Sequence, residues 1–388
     1  MARLGDICKF QSGGTPSKSE AEYYNGGIPW ITTVALNGST ISEKDAVEWI
    51  TEKAIMKSAA KIVPANSIMV GTRVGVGKVA INSVPMSTSQ DVISLLEIDE
   101  ARWSKAYICK FILAKGTYLN SQARGATIKG IKIDTLAQLQ LPEIPLDEQA
   151  KIAGIIDKID DMIVLRKEQL AKLDELVKAW FVEMFGDMLL NPMGWEAVQL
   201  EDLADVVSGI TKGRKVKSQV LTEVPYMAVS NVKDGYIDWT TVKTIMATQQ
   251  EIEQYRLLPN DVLMTEGGDP DKVGRGAVIK KPLENSIHQN HIFRVRLECS
   301  KILPAFFAEY LQHQKAKRYF LGCAKQTTGI ASINMKQLRA LPVLVPPLEL
   351  QEKFTTFVEQ TDRTKLTIQA NLDKLEIMKK ALMQEYFG

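Results

Sequence analysis

Cysteine and histidine are scarce in this sequence. Its four cysteines (Cys8, Cys109, Cys299, Cys323) are scattered over 388 residues and no two form a CxxC pair, which argues against a disulfide framework or a zinc knuckle and fits a reducing compartment. No run approaches the roughly 18 apolar residues of a membrane span, and the opening MARLGDICKF lacks the apolar core of a signal peptide. These absences point to a cytoplasmic protein with no membrane partner. Excess charge is missing as well: 48 Lys plus Arg stand against 46 Asp plus Glu, for a net +2. Bulk electrostatics therefore do not announce a nucleic-acid binder, nor do they exclude one.

Catalytic signatures are also lacking. GTRVGVGKV, from Gly71, does not have the spacing of a phosphate-binding loop, and no Ser or Thr follows Lys78. GVGKVA, from Gly75, fits GxGxxA, but the NSVP after it cannot open the helix that a dinucleotide site needs. A basic hairpin carrying Arg73 and Lys78 is the better reading. His288 and His291 form HxxH with no cysteine at zinc-ligand spacing and no HExxH, so contacts to strand ends or to bases are favoured over a metal site. Glu266, Asp269 and Asp271 lack the remaining ligands of a calcium loop, and Pro270-Asp271 is not followed by the acid-x-Lys pattern of many nucleases. GxSxG and a Cys–His pair are absent, as is the Asn-Pro-Pro signature of amino methylases. The reading is of a non-catalytic chain that binds no metal or cofactor.

What the sequence does contain is a repeat. Shifted by 202 residues, PLDEQAK from Pro145 lies on PLELQEK from Pro347, and Lys172, Leu173, Lys178, Ala179, Glu183, Phe185 and Gly186 fall on Lys374, Leu375, Lys380, Ala381, Glu385, Phe387 and Gly388. Shifts of 195 to 200 align the preceding blocks more loosely: Ser12-Gly13 with Ser208-Gly209, Pro29-Trp30 with Pro225-Tyr226, Gln90 with Gln289, Gly130-Ile131 with Gly329-Ile330. The chain is a tandem duplication of globular block (1–145, 187–347) plus connector (146–186, 348–388). Divided in this way, the charge is +3 on each block and −3 and −1 on the connectors.

The connectors read as helices. A heptad frame runs Ile152, Ile156, Ile159, Ile163, Arg166, Leu170, Leu173, Val177, Trp180, Met184 in the first, and Phe354, Val358, Thr361, Lys365, Ile368, Leu372, Leu375, Lys379, Leu382, Tyr386 in the second. Thr361, Lys365 and Lys379 weaken the second seam. Each helix is expected to reach about 60 Å, and connectivity makes a compact pairing antiparallel, a rod with a block near each end and a pseudo-twofold axis. Asn191-Pro192 cannot continue a helix and marks the turn into block two. The blocks read as α+β. Short strands are expected at Ile68–Val70, Val79–Ile81, Val92–Leu96, Ala277–Ile279 and Ile292–Leu297, and helices at 103–120 and 304–321.

Polar, mildly basic loops recur at matching places: SGGTPSKS, Arg73 to Lys78 and RGATIKGIK in block one; SGITKGRKVK, GGDPDKVGRG and AKQTTGIAS in block two. Gly permits close backbone approach to phosphate, Lys and Arg neutralise it, and Gln, Asn, Asp and Arg can pair with base edges. Singly, any of these is an ordinary solvated loop; recurrence in both copies favours a shared role.

Two different blocks, each followed by a similar helix opening with Pro-Leu-x-x-Gln (Pro145 to Gln149, Pro347 to Gln351), with LGDI from Leu4 and NPMGW and LEDL from Asn191 and Leu200, resemble the specificity subunit of type I restriction-modification systems. The resemblance covers essentially the whole chain. It implies that each block is a target recognition domain reading one half of a split, asymmetric double-stranded DNA site. The helices would serve as ruler and as docking surface for two methyltransferase subunits, with restriction/translocase subunits joining; S-adenosylmethionine, ATP and Mg would be held by those partners. Arg73, Lys78, Lys129, Lys212, Arg214, Lys215 and Arg275 are then the candidate DNA contacts, and Ile152, Ile156, Leu170, Leu173, Trp180, Phe354, Leu372, Leu375 and Leu382 the candidates for helix pairing and subunit docking. Helices of about 60 Å would cap the half-site spacing at about 18 bp. The competing readings are a coiled-coil adaptor presenting two protein-binding domains, and an enzyme with an unrecognised site.

Overall fold

Runs such as Ile68–Gly71, buried at every position, and Val92–Leu96, buried at four of five, are continuous apolar stretches that fit only the middle of a sheet. In the computed structural model, which describes residues 1–125, 129–215, 220–269, 272–327 and 329–388, they occupy such places. Block one holds a five-stranded sheet in the order Lys9–Ser12, Val92–Leu96, Ile68–Gly71, Val79–Asn82, Thr40–Ile41, and a four-stranded sheet in the order Glu48–Ile50, Tyr24–Ile31, Met86–Thr88, Ile62–Val63. Block two repeats the plan. Ala204–Ser208, Ile292–Leu297, Val262–Thr265 and Gly276–Val278 form one sheet; Lys243–Ala247, Thr222–Met227 and Ile287–His288 form the other. In both blocks the second sheet mixes an antiparallel with a parallel pairing around its long strand. A two-stranded ribbon joins the start of each block to its end: Ala2–Arg3 with Gln140–Leu141, and Glu196–Gln199 with Pro342–Val345. The architecture is α+β.

The helices expected at 103–120 and 304–321 are each broken in two, Lys105–Ala114 with Gly116–Gln122 and Pro304–Gln312 with Gln314–Cys323. A side-chain contact marks each break. Lys115 donates from Nζ to the carbonyl of Phe387 (2.5 Å), a cation at the end of the second long helix. His313 adopts an extended backbone and caps the next helix, accepting from Lys315 N.

Two uninterrupted helices of 40 residues, Leu146–Phe185 and Leu348–Phe387, follow the blocks. Packing groups the chain into two compact units, Met1–Lys167 with Gln369–Gly388 and Glu168–Ile368, so each long helix gives one half to each unit. In the first unit Lys167 pairs with Glu376 (3.3 Å) and Asp160 with Lys379. In the second, Asp174 pairs with Lys365, the Trp180 ring meets Phe357 and the Phe181 ring meets Phe354. Partner numbers fall as helix numbers rise, so the pairing within each unit is antiparallel.

The heptad frame needs one correction. Trp180 is 40% exposed and touches its partner from the rim, whereas Phe181, 1% exposed, fills the seam with Phe185. A straight helix of 3.6 residues per turn drifts about 20° per heptad from a 3.5 repeat, so after four heptads the buried stripe has moved to Val177, Phe181 and Phe185. Ile152 and Ile156 are buried in the block-one core beside Phe387, and Phe354 lies in the core of the second unit. Leu372 is buried; Leu170, Leu173, Leu375 and Leu382 are half-buried. Lys365 and Lys379, expected to weaken the second seam, are half-buried, and each carries its ammonium to an aspartate of the facing helix.

The repeated Pro-Leu-x-x-Gln element has a structural reason. Gln149, 1% exposed, accepts from the backbone N–H of Ser104 (2.9 Å) and donates to the carbonyls of Arg102 and Ile144 (both 2.9 Å). Gln351 does the same with Leu303 N (2.8 Å), Lys301 O (3.2 Å) and Pro346 O (2.8 Å). One buried amide thus ties each long helix to the start of a helix in the block before it.

Candidate nucleic-acid interface

In each block four polar loops meet at the end of the larger sheet. In block one the central strands Ile68–Gly71 and Val79–Asn82 pair as a hairpin whose tip carries Arg73 and Lys78. Thr72 N donates to Asp91 O (2.8 Å) and Ile131 N to Thr72 O (2.8 Å), which brings the turn 89–91 and the segment at Gly130-Ile131 against that tip. Gly13 and Gly14 donate to Val92 O (3.0 Å) and Thr88 O (2.9 Å) and add the fourth loop. Block two has the same scheme. Glu266 N donates to His291 O (3.0 Å), Ile333 N to Glu266 O (2.8 Å) and Ile210 N to His288 O (3.0 Å).

The repeat explains how these loops are held. Trp30 Nε1 donates to Gly14 O (3.1 Å), and Tyr226, its counterpart in the repeat, donates to Ile210 O (2.9 Å). A Cβ on Gly13 would strike the carbonyl of Ser89, and one on Gly209 that of His288, so both positions require glycine for close backbone approach.

The candidate cations fall into two groups. Lys78, Lys129, Lys212 and Lys215 are exposed on these loops, and Arg73 is half exposed, 3.4 Å from Asp91. Arg214 is engaged elsewhere: its Nε and Nη2 each lie 2.5 Å from a carboxylate oxygen of Glu251, and Nη2 also reaches Met246 O (3.2 Å). This fork engages the candidate Arg214 in an ion pair within block two. The guanidinium holds the Glu251 carboxyl down at about 2, aided by the Thr248 cap of the helix Gln249–Tyr255. Arg275 is half-buried at the base of its hairpin, its Nε buried without a hydrogen-bond partner. Residues 126–128, 216–219, 328 and Pro270-Asp271, parts of the predicted loops, lie outside the described residues.

His288 and His291 have separate partners. His288 is fully buried, its Nδ1 3.0 Å from Ile292 O, and burial lowers its pKa to about 4; it secures a strand end. His291 Nδ1 lies 2.6 Å from Glu266 Oε2. Among the described residues no three His, Cys, Asp or Glu side chains are grouped to hold a metal ion, and no helix is long and apolar enough to cross a membrane.

A family profile described as the type I restriction modification DNA specificity domain matches residues 1–175 and again 192–376. The chain belongs to the type I restriction-modification DNA specificity family. Among relatives in this specificity family, the MjaIX specificity subunit of Methanocaldococcus jannaschii is 29% identical over 251 residues, covering 61% of this chain and 58% of the relative. The EcoR124I/EcoR124II specificity subunit of Escherichia coli is 30% identical over 48% of this chain and 47% of its own length. Matches to these two therefore span about half of each relative. The EcoKI specificity subunit of Escherichia coli K12 is 23% identical over 93% of this chain and 81% of its own. The fold is shared with the type I restriction-modification S subunit of M. genitalium, at a TM-score of 0.59 and 15% identity over 100% of this chain and 95% of that one. A chain from work on complex assembly and conformational transition of the type I R-M system gives 0.62 and 16%, over 100% and 96%.

Sequence reasoning missed the acidic members of the interface, Asp91 and Glu266 as a hairpin partner, because no local motif marks them. It could have found Glu251. Thr248-Gln249-Gln250-Glu251 is a capping-box pattern, which places that carboxylate at a helix start.

Proposed function

We propose that this chain is the DNA-reading, non-catalytic subunit of a type I restriction-modification complex. Each block reads one half of an asymmetric split site in double-stranded DNA, the paired long helices set the unread spacer, and their outer faces dock two methyltransferase subunits. Restriction/translocase subunits complete the complex, and S-adenosylmethionine, ATP and Mg belong to these partners. The observation that carries this reading is the same four-loop cluster, with exposed lysines, at the same sheet end of both blocks. Its lysines can meet phosphate, and its polar side chains offer donors and acceptors to base edges. The modest charge implies that the chain alone holds DNA weakly and that partners supply much of the phosphate contact. The test is reconstitution with type I adenine methyltransferase subunits and mapping of the modified adenines. A defined two-part asymmetric site is expected, and modification without sequence preference would overturn the proposal.

A further inference from the structure

Backbone hydrogen bonds define equivalent positions in the two blocks independently of side-chain identity. The bonds Thr72 N to Asp91 O and Ile131 N to Thr72 O in block one correspond to Glu266 N to His291 O and Ile333 N to Glu266 O in block two. Thr72 therefore corresponds to Glu266 and Asp91 to His291, and by the same bonds Gln90 corresponds to Asn290 and Ile131 to Ile333, which corrects the sequence pairing of Gln90 with Gln289 and of Ile131 with Ile330 by one and three residues. Across this junction of hairpin and turn, each block sets a carboxylate against a donor. Arg73 Nη1 lies 3.4 Å from Asp91 Oδ1, and His291 Nδ1 lies 2.6 Å from Glu266 Oε2. An amide residue precedes each turn member: Gln90, which accepts from the Thr15 hydroxyl, and Asn290, whose Nδ2 is 3.3 Å from His291 Nε2.

Stability does not account for the pairs. All four side chains are between a quarter and three-fifths exposed, and exposed pairs contribute little. Their placement is informative because each carboxylate lies at the junction of hairpin and turn, within the loop cluster of its block. A carboxylate is repelled by phosphate, and burying it against DNA is unfavourable unless a donor meets it. The donors that duplex DNA offers in its grooves are base amino groups, cytosine N4 in particular for Asp and Glu, while Arg matches guanine O6 and N7.

We propose that Arg73–Asp91 and His291–Glu266, which share the same junction in the two blocks with the carboxylate on the turn in block one and on the hairpin in block two, are base-reading pairs, one for each half-site, and that they determine specificity while the loop lysines hold phosphate. Arg73 and Asp91 together suit a G·C pair. Glu266 suits a base amino group, with His291 fixing its orientation. The differing chemistry makes the two half-sites differ. This proposal rests on the DNA-reading function above.

The test uses the full chain reconstituted with its methyltransferase subunits, reading out modified adenines on a randomised DNA library. Asp91→Asn should relax discrimination at one base position of one half-site by about 10- to 100-fold, leaving the other half-site intact. Arg73→Gln should relax the same half-site. Glu266→Gln should act on the opposite half-site only. Lys78→Ala, the control, should weaken modification of all sequences alike and lower the salt slope by about 1. Thermal unfolding of each near-isosteric variant verifies folding. Unchanged base preferences in both Asp91→Asn and Glu266→Gln, or loss uniform over all positions, would refute the pairs as readers while a defined wild-type site keeps the general function. Modification without preference by the wild type would refute that function itself.

Discussion

Gln149 and Gln351 each engage three backbone groups in places closed to water. Alanine at either position would leave those groups unpaired, and a stability loss of about 2–3 kcal/mol is expected in urea unfolding. Gln149→Glu should be at least as harmful, since a carboxylate cannot donate to Arg102 and Ile144. Three side chains of block two contribute to its acid response. His288 is held neutral, its pKa lowered from 6.5 to about 4 by burial, so the unfolded chain takes up a proton first and stability falls as pH drops from about 6.5 to about 4. His313, likewise lowered by burial, acts in the same direction. Glu251 is lowered from 4.5 to about 2 by Arg214, so its contribution is complete above 4.5 and is lost as pH falls from there towards 2. Unfolding midpoints against pH should show both windows: the upper decline shallower in His288→Gln, the lower one shallower in Glu251→Gln.

At the scale of elements, the long helices were legible because 40 residues without an interior proline repeat an apolar frame. Their contacts were only partly so. The frame named Trp180, but drift and the neighbouring core select Phe181, whose ring lies 5.4 Å from both Phe306 and Phe354. Phe181→Ala should therefore cost about 3–5 kcal/mol, and Trp180→Ala, at the half-exposed rim, about 1 kcal/mol, by denaturant titration of the whole chain. Sheets were legible where strands are buried on both faces, as at Ile68–Gly71. Two-residue strands such as Thr40–Ile41 and Gly267–Gly268 carry no periodicity and are specified by their neighbours.

For the whole molecule, the repeat gives both the duplicated blocks and the proposed reading of two half-sites. Inserting four residues near the middle of both long helices adds about 6 Å to each, which at 3.4 Å per base pair lengthens the spacer by about 2 bp. Mapped methylation sites with the spacer unchanged would remove the ruler role. The charge distribution belongs to this scale too. Within the net +3 of block two, Arg214 and Glu251 cancel as an ion pair, while Lys212 and Lys215 beside it are exposed.

The sequence by itself determined the duplication, the two long helices, the α+β class and the positions of the polar loops, because these follow from local periodicity and from comparison of the chain with itself. Only the tertiary structure decided which loops meet, which cations remain free and which acids stand beside them. Asp91 reaches Arg73, and His291 reaches Glu266, through pairing between strands about 20 residues or more apart. Arg214 is neutralised by a residue 37 positions away. Such neighbours are set by sheet register and by helix placement, which depend on the packing of the whole block.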